Sequence, residues 1–315
     1  MNPSSLELAI STVQRQKEMY MKEITVLSGK GGTGKTSITA ALASIVKNAV
    51  FCDNDVDAAN LHLVFDPVEK ERHVFEGAWL ATINPEQCSQ CGICAEYCRF
   101  DAIRKEDTRG LTIDPFKCEG CRLCERICPE GAITSARSLN NHWFVSGSRM
   151  GTLVHAEMGP GEENSGKLVA VLRTEARNIA RKENAAWIIN DGPPGIGCAA
   201  ISSLTGTDAA IIVTEPSRSG LHDLKRIVEL IGSFDIPAYA MINKHDLQPE
   251  LTNEISTFLQ ARNIPTIARI PFSETFVPAM VTGVSVIEYD PAAETSGIIS
   301  GAWEQFVKNL VKKRK

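Results

Sequence analysis

"EITVLSGKGGTGKTSITAALASIVKN", residues 23–48, is the stretch that decides the fold. Its opening, "EITVLSG" (23–29), is a short apolar strand running into a glycine-rich turn, and "KTSITAALASIVKN" (35–48) has the composition of a helix. Between them "GKGGTGKT", Gly29 to Thr36, matches G-x-x-x-x-G-K-[ST] in the strand-to-helix context that such a loop requires. The glycines let backbone N–H groups turn toward phosphate oxygens, and the N-terminus of the helix adds a favourable dipole. Gly29, Lys30, Gly31, Gly32, Thr33, Gly34, Lys35, Thr36 and Ser37 are therefore expected around a nucleotide's phosphates. Lys35 would reach the β and γ phosphates, and the Thr36 hydroxyl would meet Mg²⁺, with Asp53 beside it.

Working outward, "AVFCDND" (49–55), "AAWIINDGPPG" (185–195), "DAAIIVTEP" (208–216) and "IPAYAMINKHD" (236–246) read as further strands. "GLHDLKRIVELIGSF" (220–234) is helical in period. Apolar strand, polar loop and helix in alternation predict an α/β protein, its parallel sheet covered on both faces. Ligands then belong at the carboxyl ends of the strands, where the glycine-rich and acidic loops fall. From about Trp79 to Ser135 this rhythm stops, as an insertion would make it. The reading divides the chain into a leader (1–20), a first part of a P-loop core (21–79), an insert (80–136) and the rest of the core (137–315). Residues 1–20 are read as an appended leader or a start placed too early, with a native amphipathic helix as the competing reading. "HWFVSG" and "TLVHAEM" (142–158) suggest a hairpin after the insert, and "GPGEENSGK" (159–167) an exposed loop.

The insert holds eight of the ten cysteines, in two runs of C-x₂-C-x₂-C-x₃-C: Cys88, Cys91, Cys94, Cys98, then Cys118, Cys121, Cys124, Cys128. Clustered thiols in a reducing compartment are metal ligands more often than cross-links. The spacing matches the bacterial two-cluster ferredoxin, a small α+β unit, where the fourth cysteine of each run serves the other cluster. That scheme predicts Cys88, Cys91, Cys94 and Cys128 on one 4Fe-4S cluster and Cys118, Cys121, Cys124 and Cys98 on the second. The repeat extends past the ligands, into "FDAI" (100–103) and "EGAI" (130–133). Pro129 follows Cys128 as usual, but Arg99 stands after Cys98. Zinc is the competing metal, although structural zinc takes two C-x₂-C pairs per ion.

Lys30, early in the phosphate loop, makes the chain resemble the MinD, Mrp and nitrogenase iron protein group, whose P-loop carries this extra lysine. The resemblance implies a nucleotide-dependent homodimer in which Lys30 reaches the partner's nucleotide. "DNDVDAANL" (53–61) resembles switch I, so Asp55 would position the attacking water and Asn60 would support it; Asp57 reads as a solvated turn residue. "DGPPG" (191–195) resembles switch II, with Asp191 near Mg²⁺ and Gly195 sensing the γ-phosphate. Asn243 suits adenine in that group, whereas "NKHD" (243–246) also fits the guanine-reading N-K-x-D pattern; ATP is favoured on breadth of resemblance, and Asp246 keeps GTP open. The whole resembles MinD-superfamily ATPases that contain an inserted ferredoxin domain.

Three functions compete at this point. One is an iron-sulfur ATPase that passes electrons through its two clusters to an unidentified partner protein. Another is an Mrp-like assembly or carrier ATPase, and a third is MinD-like positioning through a C-terminal helix. A coupling of about 1–3 kcal/mol shifts a one-electron couple by only roughly 40–130 mV, so nucleotide would govern docking more than driving force. The tail "AWEQFVKNLVKKRK" (302–315) reads as a surface helix with a frayed end. A net charge of -5 disfavours nucleic acid and anionic membrane as partners, and no apolar run is long enough to span a bilayer, which together suggest a cytoplasmic protein. Cys52 reads as a core thiol and Cys198 as an unreactive thiol under switch II, with a ligand role at a dimer seam as the sharper alternative. The six histidines (62, 73, 142, 155, 222, 245) form no spaced ligand pair.

Overall fold

Strands buried on both faces of a parallel sheet must be apolar at nearly every position, and "AAIIVT" and "AVFCD" meet that demand with every residue buried. The computed structural model describes residues 21–108, 110–159 and 165–312. The expected leader at 1–20 lies outside the described residues. The strands are β1 (Lys22–Ser28), β2 (Ala49–Asp53), β3 (Val68–Phe75), β4 (Trp79–Ile83), β5 (Ile103–Glu106), β6 (Gly110–Ile113), β7 (Ile133–Arg137), β8 (Asn141–Ser148), β9 (Gly151–Glu157), β10 (Trp187–Pro194), β11 (Ala209–Thr214), β12 (Ala238–Asn243) and β13 (Thr266–Ile270). Nine of them form one sheet in the order β13-β12-β11-β1-β10-β2-β9-β8-β3. From β13 through β9 every pairing is parallel. The fold class is thus α/β, built on a large and mostly parallel sheet.

By its contacts the chain divides into two units, with breaks inside β3, between Arg72 and His73, inside β8, between Trp143 and Phe144, and at the end of β9, between Ala156 and Glu157. In the larger unit, alternate side chains leave opposite faces of the sheet. Ile24, Val26, Ile211 and Val213 join Ile38, Leu42 and Phe306 in one cluster. Leu27, Ala210, Ile212 and Ile242 join Leu224, Ile227 and Leu259 in the other.

Two expectations need correction here. Ser165–Lys167, read as loop, begins a helix that runs to Glu183; residues 160–164 lie outside the described residues. Its stripe of Leu168, Leu172, Ala176 and Ile179 recurs at helical spacing, a signal present in the sequence. The C-terminal segment is no surface helix either. The helix Glu294–Lys312 buries Ile299, Ala302 and Phe306, and Phe306 meets Tyr239 of β12 edge-on at 4.9 Å. The stripe starts before residue 302, so a window opened there cuts it in half. No helix among the described residues is long and apolar enough to cross a membrane.

β8 and β9 are neighbours in the sheet joined through Arg149 and Met150, the hairpin that the sequence suggests. Arg149 donates to the carbonyls of Val64, Phe65 and Gly283 and pairs with Glu288 at 2.7 Å. It thereby fastens the end of the helix Leu61–Phe65, which follows the switch-like segment. On β9, His155 bonds Ser146 at 3.0 Å and lies against Phe144 and His62. Burial, reinforced by His62, pulls its pKa from 6.5 down to about 4. The unfolded chain takes up this proton below about 6.5 while the folded chain refuses it until about 4, so stability present above 6.5 is lost as pH falls through that window. His155→Asn is expected to lose about 1–2 kcal/mol less than the parent between about pH 7.5 and 5, measured by urea denaturation.

The smaller unit, around residues 73–143, has two antiparallel pairs, β4 with β7 and β5 with β6, and two short helices, Ile93–Glu96 and Leu123–Ile127. The sequence repeat has a packing cause. Ala102 and Ile103 in one half, and Ala132 and Ile133 in the other, are the buried members of "FDAI" and "EGAI". Ile103 and Ile133 join Ala81, Cys94 and Leu111 in a small core lined by thiols. Gly120 is required where it stands: φ is +61°, and an added Cβ would lie 2.3 Å from the Trp79 carbonyl oxygen.

Candidate functional site: a phosphate loop and two thiol-lined hollows

The loop from Gly29 to Gly34 leaves β1 and enters the helix Lys35–Ile45, whose first turn has no side-chain cap and so keeps its N–H groups for a ligand. Gly34 has φ +91°, and an added Cβ would sit 2.4 Å from Asn243 Nδ2, which makes glycine obligatory there. Parallel pairing of β1, β10 and β2 sets the ends of three strands side by side, and these ends carry the charged groups.

Lys35, only 6 % exposed, is 3.1 Å from Asp191 and 3.5 Å from Asp55. Burial pulls the pKa of its ammonium down, but Asp191, Asp55 and Asp53 together lift it above the usual lysine value. Asp191 accepts from Thr36 at 2.7 Å and from Thr39 at 2.8 Å. Asp53 is fully buried and accepts from the N–H groups of Asp55 and Leu61. Burial first, and Asp191 second, raise its pKa. Burial also raises that of Asp55, against the pull of Lys35. The tertiary structure thus brings Lys35, Thr36, Asp53, Asp55 and Asp191 together at the foot of the loop. Gly195 donates to the Ser28 carbonyl at 2.9 Å and so lies against the loop. Thr33 Oγ1 is buried with no hydrogen-bond partner among the described residues, a donor left for a ligand.

The remaining expected residues make other contacts or face solvent. Asn60 is exposed at the start of the helix Leu61–Phe65, and Asp57 is exposed as expected. The Ser37 hydroxyl meets the sulfur of Met280 at 3.3 Å. Asn243, read as a base contact, spends its amide on the Thr33 carbonyl (2.8 Å) and its oxygen on the Lys244 N–H (3.0 Å). Asp246 accepts from Phe272 N at 2.7 Å. Lys30 bends back on its own chain, 2.7 Å from Glu215 and 3.1 Å from the hydroxyls of Ser217 and Ser219. Glu215, Lys244 and Thr39 are the contributors that sequence reasoning missed. Lys244 sits inside the quoted "NKHD" and Glu215 inside "DAAIIVTEP", so both were in view without a partner to suggest a role.

In the smaller unit one hollow is lined by Cys88, Cys91, Cys94 and Cys128, with Ile93, Leu111 and Ile133. A second is lined by Cys98, Cys118, Cys121 and Cys124, with Cys94 also at its wall. Each hollow therefore gathers thiols from both runs. All eight are free thiols. Cys128 Sγ accepts the Ala132 N–H at 3.3 Å, and burial pushes Cys124 up to about 11. Among the described residues no three His, Cys, Asp or Glu side chains converge on a single-ion position. Arg99 is exposed. In the larger unit Cys52 is fully buried as expected, whereas Cys198 is exposed at the first residue of the helix Cys198–Leu204 and not covered by the loop.

The sequence profile of the CobQ/CobB/MinD/ParA nucleotide binding domain matches residues 24–286. The chain belongs to that family. Relatives of this MinD/ParA-type chain include an uncharacterized protein of Methanocaldococcus jannaschii, 36% identical over 231 residues, covering 70% of this chain and 78% of the relative. An iron-sulfur cluster carrier protein of Rickettsia felis is 31% identical over 96 residues, 30% of each chain. Among solved structures, the septum site-determining protein MinD of Pyrococcus horikoshii complexed with Mg-ADP superposes with a TM-score of 0.54 over 90% of this chain and 95% of that one. At 18% identity that likeness speaks for the fold of this MinD/ParA-family member alone.

Proposed function

We propose that this chain is an iron-sulfur ATPase that couples ATP hydrolysis to electron transfer through two 4Fe-4S clusters to a partner protein. The observation that carries the reading is the sorting of eight thiols into two hollows, each lined by cysteines of both runs. The donor set fits: three thiolates at i, i+3 and i+6 hold three corners of a cubane, and the fourth comes from the other run. Cys88, Cys91, Cys94 and Cys128 would hold one cluster, and Cys118, Cys121, Cys124 and Cys98 the other. When bound, such clusters supply one-electron carriers inside an otherwise redox-silent ATPase.

At the loop, Lys35 and the helix N-terminus neutralise phosphate charge, and the Thr36 hydroxyl with Asp53 or Asp191 would hold Mg²⁺. Asp191, bonded to Thr36 and Thr39, fixes the first turn of that helix. Asp55 orients the attacking water: its oxygen bonds to the γ-phosphorus, the bond to the bridging β-oxygen breaks, and ADP and phosphate leave. Positioning and charge neutralisation supply most of the rate in such transfers. We further assign a nucleotide-dependent homodimer, with Lys30 exchanging its present partners for phosphate.

Anaerobic reconstitution should yield about eight iron and eight sulfide per chain, together with ATP hydrolysis. Zinc in place of iron and sulfide would overturn the redox reading. Partial similarity to an iron-sulfur cluster carrier favours a second reading, delivery of clusters. Loss of iron to an apo-acceptor distinguishes it from clusters that cycle without transfer.

A further inference from the structure

Glu215, at the end of β11, holds two lysines at once. One carboxylate oxygen is 2.7 Å from Lys30 and the other 2.9 Å from Lys244. Both cations belong to the mouth of the phosphate loop: Lys30 is its second residue, and Lys244 donates to the Gly32 carbonyl at 3.2 Å. Ser217 and Ser219 complete the seat of the Lys30 ammonium, each at 3.1 Å. Lys30 is 26 % exposed and Glu215 16 %, so the pair is partly shielded and water does not dissipate it fully. Lys30 and Lys244, two basic side chains at the mouth of this loop, are therefore both held by one carboxylate.

We infer that Glu215 is a positioning residue that competes with nucleotide phosphate for Lys30, holding the loop in a low-affinity state until a triphosphate displaces it. The inference rests on nucleotide binding at the loop. In the homodimer the partner's triphosphate draws Lys30 away from Glu215, while the chain's own triphosphate meets the Glu215 carboxylate as a nearby like charge. Both effects set nucleotide against the latch, and removing the charge at 215 removes both.

The test is nucleotide affinity, read by titration of a fluorescent ATP analogue at fixed ionic strength. Glu215→Gln, which keeps the shape and loses the charge, should tighten binding about tenfold. Glu215→Asp should restore the affinity of the parent. Ser219→Ala, on the surface, removes one acceptor from the seat and should tighten binding about twofold, which keeps the inference testable if the variants at 215 fold poorly. In a double-mutant cycle the gain from Glu215→Gln should vanish on a Lys30→Met background, because the latch acts through that lysine. Weaker binding in Glu215→Gln, or a gain that persists undiminished without Lys30, overturns the inference. A parent chain that binds no nucleotide would instead sink the reading of the loop itself.

Discussion

Lys35→Met is expected to lower ATP hydrolysis at least a hundredfold and also to destabilise the nucleotide-free chain by about 3 kcal/mol. The first effect follows from the loss of the buried cation that, in the proposed function, neutralises the β and γ phosphates. The second follows from what surrounds it. Lys35 is 6 % exposed and lies 3.1 Å from Asp191 and 3.5 Å from Asp55, with Asp53 fully buried close by. Removing the ammonium leaves three carboxylates facing one another, and breaking a buried pair costs more than the pair contributes net. The two effects separate experimentally. Lys35→Arg keeps the charge, so it should recover most of the stability and little of the hydrolysis, because a planar fork does not replace a point charge at the phosphates. The stability loss in Lys35→Met also has a pH signature. Without the cation the folded-state pKa values of Asp53 and Asp55 rise further above their unfolded values. Stability is then retained at low pH, where they are protonated, and falls as pH rises toward 8. Urea denaturation at about pH 5 and 8 measures the difference, and equal losses at both would count against this account of the cluster.

Cys128→Ser carries the second large effect, and it tests the exchange of ligands between the runs. Cys128 belongs by sequence to the second run but lines the hollow of Cys88, Cys91 and Cys94. Reconstituted iron should fall from about eight to about four per chain in this variant. The surviving cluster should be the one assigned to Cys118, Cys121, Cys124 and Cys98, with its own redox midpoint unchanged. Cys118→Ser should give the complementary spectrum, and the two variants together should resolve the parent's signal into two components. If Cys128→Ser instead removes the signal that Cys118→Ser removes, each run holds its own four-ligand set and the exchange is wrong. Thiol burial bears on the procedure: with Cys124 pushed up to about 11, metal loading must release protons and should be slower at low pH.

Much of this was legible because it is local. The phosphate loop is one contiguous stretch between a strand and a helix, and its backbone geometry rests on Gly32 and Gly34, at φ +80° and +91°. The strands β1, β2, β10, β11 and β12 were legible for a related reason: strands buried on both faces read as unbroken apolar runs. Boundaries failed where the pattern was cut. Ser165–Lys167 looked like loop because the helix begins in polar residues, and the last helix looked superficial because Ile299 fell outside the window.

By itself the sequence determined the phosphate cradle and predicted a thiol-ligated centre, since a glycine-rich loop and a repeated four-thiol run are each written in spacing along a few residues, where covalent geometry controls the outcome. Only the tertiary structure decided which groups answer one another across the chain. It sets Glu215 between Lys30 and Lys244 and gives the Asn243 amide to the Thr33 carbonyl. It also gathers Asp53, Asp55 and Asp191 around Lys35. The reason is physical: such encounters depend on the order in which strands join the sheet, and strand order is chosen by the packing of the entire core.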